Sequence, residues 1–259
     1  FLFNPTPSHS LNKQGFCFLP RIFRSTKIST CRSALWEIIN GNYETGIKPE
    51  NRFWETGDNP NSLIKIDKPH LCNKTVWDFI TDERFTRLLS EATSSKKIQI
   101  WHTQLVWKPT SKGSSGNAGW HRDAQYWPFW SKKGLYTAWI ALSNVTENSG
   151  PVQYIVESNK WGSIDGLDFF SKDLSSQHNI LTKTHKDYKI TKGILSEGQV
   201  AIHSSLTYHS STANKNIEPR IGLVVHFCTD QARKIELKNE NKNYLDYLQN
   251  QKIAPIIFQ

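Results

Sequence analysis

From residue 98 onward, short runs rich in β-branched and aromatic side chains alternate with turn-forming stretches. The runs Ile98–Trp107, Tyr136–Leu142, Val152–Val156, Gln199–His203 and Ile221–Phe227 predict strands. The breaks between them include Lys112-Gly-Ser-Ser-Gly116, Asn148-Ser-Gly-Pro151 and Glu197-Gly198. Many short strands without helical periodicity between them point to a sandwich or barrel and away from a parallel α/β sheet. Before residue 95 the texture is helical and irregular. Val76, Phe79, Ile80, Phe85, Leu88 and Leu89 recur near helical spacing and predict one helix over Thr75–Ala92. The tail predicts a short helix near Asn243–Asn250 and an extended Ile253–Phe258. No repeat or Pro/Gly-rich linker interrupts the chain. The expectation is a single domain over 1–259, with a helical part to 95, a β core over 96–230 and an extension over 231–259.

Composition narrows this little. With 259 residues, 37% hydrophobic and 21% charged, a core is expected and global disorder is not. No apolar run approaches the roughly 18–20 residues of a bilayer span, so no membrane partner is expected. Phe1 to Gly15 lacks a secretory apolar block. The expectation is a soluble cytoplasmic or organellar protein that is not secreted. Cys17, Cys31, Cys72 and Cys228 show no CxxC spacing and read as reduced, buried thiols. The net charge of +9 favours a small anionic partner. Lacking an arginine-rich block or zinc-finger spacing, the chain is not expected to bind nucleic acid. Lys96-Lys97 and Lys132-Lys133 read as solvated faces, and oligomeric state is left open.

Candidate chemistry lies in three places. Gly119-Trp-His-Arg-Asp-Ala-Gln-Tyr-Trp127 holds His121 and Asp123 two apart. Residues i and i+2 of a strand share a face, so one stretch offers an imidazole and a carboxylate to one ion. Tyr208-His-Ser-Ser-Thr-Ala-Asn214 supplies His209, and Arg220 follows eleven residues later. Two histidines and one carboxylate leave three positions open on iron(II), which a bidentate 2-oxo acid and dioxygen fill in the non-haem oxygenases. Structural zinc takes four tetrahedral ligands instead. An arginine beyond the distal histidine suits a two-pronged grip on the far carboxylate of 2-oxoglutarate. Lys108 is a candidate for reaching an anionic substrate. His102, His203 and His226 read as structural or exposed.

These blocks, with Trp101-His-Thr-Gln-Leu-Val-Trp-Lys-Pro109 and Thr137 to Pro151, resemble the phytanoyl-CoA dioxygenase family of iron(II)/2-oxoglutarate oxygenases. The resemblance covers roughly Gln99 to Asp230. It implies a mainly β, double-stranded β-helix (a jelly-roll, cupin-like barrel) with flanking N-terminal helices. It also implies catalytic iron ligands His121, Asp123 and His209, and a 2-oxoglutarate pocket of Arg220, Ser211, Gln104 and Trp139. Trp127 matches an aromatic on the substrate side. Iron(II), 2-oxoglutarate and dioxygen are the expected cofactors. Hydroxylation of a small organic substrate, anionic or acyl, with release of succinate and CO2 is the expected reaction. Desaturation, cyclisation or an inactive metal- and 2-oxoglutarate-binding barrel are its rivals. Three positions depart from the family: Ser210 replaces a glycine, Glu157-Ser-Asn-Lys-Trp-Gly162 replaces a Gly-Ser-His before Trp-Gly, and Gln199 replaces an aspartate.

Overall fold

A computed structural model describes residues 5–111, 114, 116–236 and 244–259. In chain order, α1 (Pro7–Gln14), β1 (Phe16–Leu19), α2 (Ser25–Ile39), β2 (Ile64–Asp67), α3 (Pro69–Cys72), α4 (Lys74–Ile80) and α5 (Glu83–Thr93) precede the β region. That region holds β3 (Ile98–Lys108), β4 (Ala118–His121), β5 (Leu135–Ala141), β6 (Val152–Ile155), α6 (Leu174–Thr184), β7 (Ile190–Lys192), β8 (Val200–Ser204), β9 (His209–Ser211) and β10 (Arg220–Thr229). A last strand, β11 (Ile256–Phe258), follows. The two sheets are antiparallel, one ordered β1-β8-β5-β10-β3-β11 with β2 also on β3, the other β4-β9-β6-β7.

Four sequence expectations are corrected. The predicted helix over Thr75–Ala92 is two helices, because the Asp82 carboxylate accepts from the amides of Arg84 and Phe85, both at 3.1 Å. Such an N-cap starts a new helix. Secondly, the N-terminal part also carries strands. β1 and β2 are four residues long and are fixed by pairing with β8 and β3, partners that a local window does not contain. Thirdly, α6 lies inside the β region; Gln177 and Leu181 are its only buried residues, so its apolar stripe is faint. Lastly, the sheets do not close into a barrel: among the described residues only isolated bridges such as Thr110 with Asn214 join them. The tail forms a 3-10 turn over Asp246–Gln249, and Asn243 and most of the 112–116 turn lie outside the described residues.

Period two divides the faces of the large sheet. Leu223, Val225 and Phe227 of β10, with Ile140 of β5 and Ile202 of β8, join Ile28, Leu35, Phe79, Phe85 and Leu89 of the helices in the largest apolar cluster. Each such side chain contributes about 1.5–3 kcal/mol when fully buried. The intervening residues Thr137, Trp139, His203, Val224 and His226 point the other way, toward the small sheet. A one-residue slip would exchange the two sets, so the apolar face fixes the register of the polar one. All four cysteines are buried and free. No helix among the described residues is long and apolar enough to cross a membrane.

Two buried histidines give the fold a pH limit. His70 bridges Thr103 Oγ1 (2.6 Å) and the Ile253 carbonyl (2.9 Å), tying the tail to β3. Burial pushes His70 and His226 down to about 3. The unfolded chain takes up their protons near pH 6.5 while the folded chain does not, so their stabilisation is complete above about 6.5 and declines toward 3. Each costs up to about 1.4 kcal/mol per pH unit in that window. Melting temperature is therefore expected to fall steadily from pH 6.5 to 4; a flat profile would contradict the assignment.

Candidate metal centre

β4 ends at His121, Arg122 is extended (φ −123°, ψ 142°), and Asp123 opens a 3-10 turn that runs to Tyr126. The strand expected to carry the whole HxD pair thus stops at its first member. The extended Arg122 still leaves His121 and Asp123 on one side. β4 pairs with β9 so that His121 faces His209, with ring centroids 4.2 Å apart.

Each imidazole is oriented by its own backbone. His121 Nδ1 lies 2.8 Å from the Gly119 carbonyl and His209 Nδ1 2.9 Å from that of Thr207. A carbonyl only accepts, so both Nδ1 atoms carry the proton and both Nε2 atoms keep a free lone pair. Those Nε2 atoms lie 3.7 and 3.5 Å from Asp123 Oδ1, around one common point. Asp123 Oδ2 is held away from that point, accepting from Thr137 Oγ1 (2.7 Å) and His203 Nε2 (3.0 Å). Burial alone would raise the Asp123 carboxyl; the neighbouring His209, His121 and His203 outweigh it and hold it well below its usual range. Burial, then His121 and His203, keep His209 well below its usual value. An ionised carboxylate and neutral imidazoles are the protonation states that a metal requires. The donor set fits a divalent ion with vacant positions for other ligands.

A cavity of about 90 Å³ opens beside this triad, between the sheets. Arg220, Ser211, Trp139 and Gln104 all line it. Arg220 is buried, donates to the Gly150 carbonyl and lies 5.2 Å over the Trp139 ring, while its Nε has no partner. Burial lowers its guanidinium to about 10, so it remains charged at neutral pH. Lys108 stands directly opposite Arg220 on the neighbouring strand. Its Nζ donates to Ser211 Oγ and the Thr212 carbonyl, both at 2.7 Å. Burial, then Arg220 and Lys172, depress it far below its usual value. Lys108 is thus at the arginine end, and its expected place on the substrate side is corrected. Arg220 is thus a buried cation with no acidic partner among the described residues, and an anion beside it removes that penalty. Gln104 has its amide engaged elsewhere, with Nε2 on Asp67 Oδ1 (2.9 Å) and Oε1 facing His226 Nε2 (3.2 Å).

Trp139 depends on Gly222. A Cβ at Gly222 would come within 2.2 Å of the indole. Gly222→Ala is expected to push Trp139 toward Arg220 at an overpacking cost of about 1–3 kcal/mol. Calorimetry should show weaker 2-oxoglutarate binding with metal binding retained; unchanged affinity would mean the indole has room.

A larger cavity, about 340 Å³, reaches His121 and Asp123 from the other side and is walled by aromatics including Trp101, Trp127, Phe129 and Phe169. Trp127 does not continue the strand face of Asp123. The 3-10 turn swings it against Trp101 (4.8 Å, 87°) and His226 (4.9 Å, 77°), where it both packs and lines the cavity. Of the support residues, His203 and His226 read as structural or exposed in the sequence and Thr137 was not singled out. The strand pairing that aims all three toward Asp123 is not a local signal. Glu157, where the family has glycine, takes a left-handed φ of 64°. A non-glycine there is strained.

A family model for phytanoyl-CoA dioxygenase (PhyH) matches residues 11–222. The peroxisomal phytanoyl-CoA dioxygenase of Homo sapiens is 23% identical over 184 residues, which span 66% of this chain and 54% of that protein. The match thus extends over about half the length of that relative. Among solved structures, EctD from S. alaskensis with 2-oxoglutarate and 5-hydroxyectoine has a TM-score of 0.68 at 17% identity, over 93% of this chain and 85% of its own. The α-ketoglutarate-dependent epimerase SnoN from nogalamycin biosynthesis has a TM-score of 0.66 at 16% identity, over 87% and 82%. At these identities the likeness is one of fold.

Proposed function

The chain belongs to the phytanoyl-CoA dioxygenase family, and we propose that it is an iron(II)- and 2-oxoglutarate-dependent oxygenase that hydroxylates a small organic substrate, acting as one functional unit. The observation that carries this reading is the triad His121, Asp123 and His209, with carbonyl-fixed imidazoles, next to a cavity lined by the buried Arg220, which has no acidic partner among the described residues. Iron held there would couple the decarboxylation of 2-oxoglutarate by dioxygen to oxidation of the substrate.

The residues divide the remaining work. Arg220 grips the far carboxylate of 2-oxoglutarate, and Trp139 forms one wall under the guanidinium. Ser211, its hydroxyl oxygen occupied by Lys108, directs its own proton to the same carboxylate. Lys108 fixes that hydroxyl. Gln104 lines both cavities, its amide held by Asp67 and His226. Thr137 and His203 fix the carboxylate of Asp123 so that one oxygen faces the metal, as outer partners of metal ligands do. Trp127 and Phe169 keep water from the substrate side. The test is calorimetric titration of 2-oxoglutarate into metal-free protein and into protein loaded with manganese(II). Binding that needs the metal supports the reading; equal binding without it would remove the chelating role of the triad.

A further inference from the structure

The larger cavity carries two opposite charges that form no direct ion pair with each other. Lys65 and Asp67 are two apart on β2, and the residue between them, Ile66, is buried in the apolar core on the opposite face. Both charged residues therefore point to the cavity, which they help line together with His121 and Asp123. The Lys65 ammonium forms no ion pair among the described residues. It sits over the rings of Phe53 and Phe169, 4.4 and 5.2 Å from their centroids. Asp67 is fixed from behind by Gln104 (2.9 Å) and Asn51 (3.3 Å), and His102 Nε2 lies 3.5 Å from its Oδ1. The other nitrogen of that buried ring, Nδ1, has no hydrogen-bond partner. Burial would raise the Asp67 carboxyl, but His102, Lys65 and Gln104 bring it down to about 2, so it is ionised at neutral pH.

A separated cation and anion facing one cavity are each desolvated without direct compensation. A monoanionic acyl group would satisfy Lys65 and meet repulsion from Asp67. A simple amine would do the reverse. A ligand that bears both charges satisfies both, and the aromatic wall of Trp101, Trp127 and Phe129 adds cation–π attraction at the ammonium end.

Resting on the oxygenase reading above, we propose that the substrate is a small zwitterion whose carboxylate is held by Lys65 and whose ammonium is held by Asp67. The carbon chain between these charges then lies across the face of the cavity that contains His121 and Asp123. Side chains two apart on a strand are separated by roughly 7 Å, so the two charges are a few carbons apart, as in ω-amino acids and their N-methylated relatives.

The test uses the iron-loaded enzyme with 2-oxoglutarate and measures succinate release on adding ω-amino acids of three to six carbons and their N-trimethyl forms, the corresponding decarboxylated amines, the corresponding N-acetyl acids and a straight-chain acyl-CoA. At least one zwitterion is expected to raise the rate tenfold or more, with its amine and its N-acetyl form far behind. Lys65→Met should cut the preference for that zwitterion over its amine at least tenfold, and Asp67→Asn its preference over the N-acetyl acid. If Asp67→Asn fails to fold, Lys65→Met, at a partly exposed position, still decides. Stimulation by N-acetyl acids or acyl-CoA equal to that by zwitterions overturns the inference, as does a response to none of the zwitterions. Absence of any basal, iron-dependent succinate release instead overturns the oxygenase reading.

Discussion

His209→Ala is expected to abolish stoichiometric iron(II) binding. The variant removes one of three donors whose nitrogen and oxygen atoms already converge within 4.8 Å of one another. Loss of an outer partner alone typically weakens metal binding 10- to 100-fold, so loss of a ligand should exceed about a hundredfold. Thr137→Val is the graded control. It deletes the 2.7 Å hydrogen bond to Asp123 Oδ2 together with the 2.8 Å one to His226 Nδ1, leaves His203 in place, and should fall within that smaller range. Anaerobic titration with iron(II) measures both. Undiminished stoichiometric binding by His209→Ala would place the metal elsewhere.

Arg220→Ala should weaken 2-oxoglutarate about thirtyfold or more while iron binding persists, since a buried charge-assisted pair is worth about 2–5 kcal/mol when one partner is truncated. Its unpartnered Nε and its place over Trp139 make it the donor group left free for a ligand in the small cavity. Ser211, its hydroxyl fixed by Lys108, and Trp139 still line the cavity, so binding should weaken without vanishing. Arg220→Lys should rescue in part, because a point charge lacks the planar fork of donors. A wild-type affinity in Arg220→Ala would move the anchor to another residue.

Much of this site was legible in the sequence because its residues occur in short, ordered blocks. His121 and Asp123 are two apart, and the extended Arg122 preserved the same-side relation even though the strand stopped. The β3, β5, β6, β8 and β10 runs were found within a residue or two, since period-two alternation is a local signal. What failed was set by distant contacts. β1 and β2 are strands only because β8 and β3 pair with them. Lys108 could be recognised as a lone lysine, but the strand register that sets it opposite Arg220 could not. Asp67 and Lys65 lay in a stretch read as irregular, so their shared face was invisible until β2 was paired. Trp127 was placed on the substrate side by the resemblance alone; the turn after Asp123 sets it in an aromatic cluster that lines the larger cavity.

The oxygenase reading is tested most directly by succinate release from 2-oxoglutarate in air, comparing protein loaded with iron(II) against the same protein loaded with zinc(II). Zinc can occupy the same donors but has no redox chemistry to offer. The expected result is slow, dioxygen-consuming succinate formation with iron, none with zinc, and none with iron in Asp123→Ala. Succinate formed equally with either metal, or by Asp123→Ala, would contradict it.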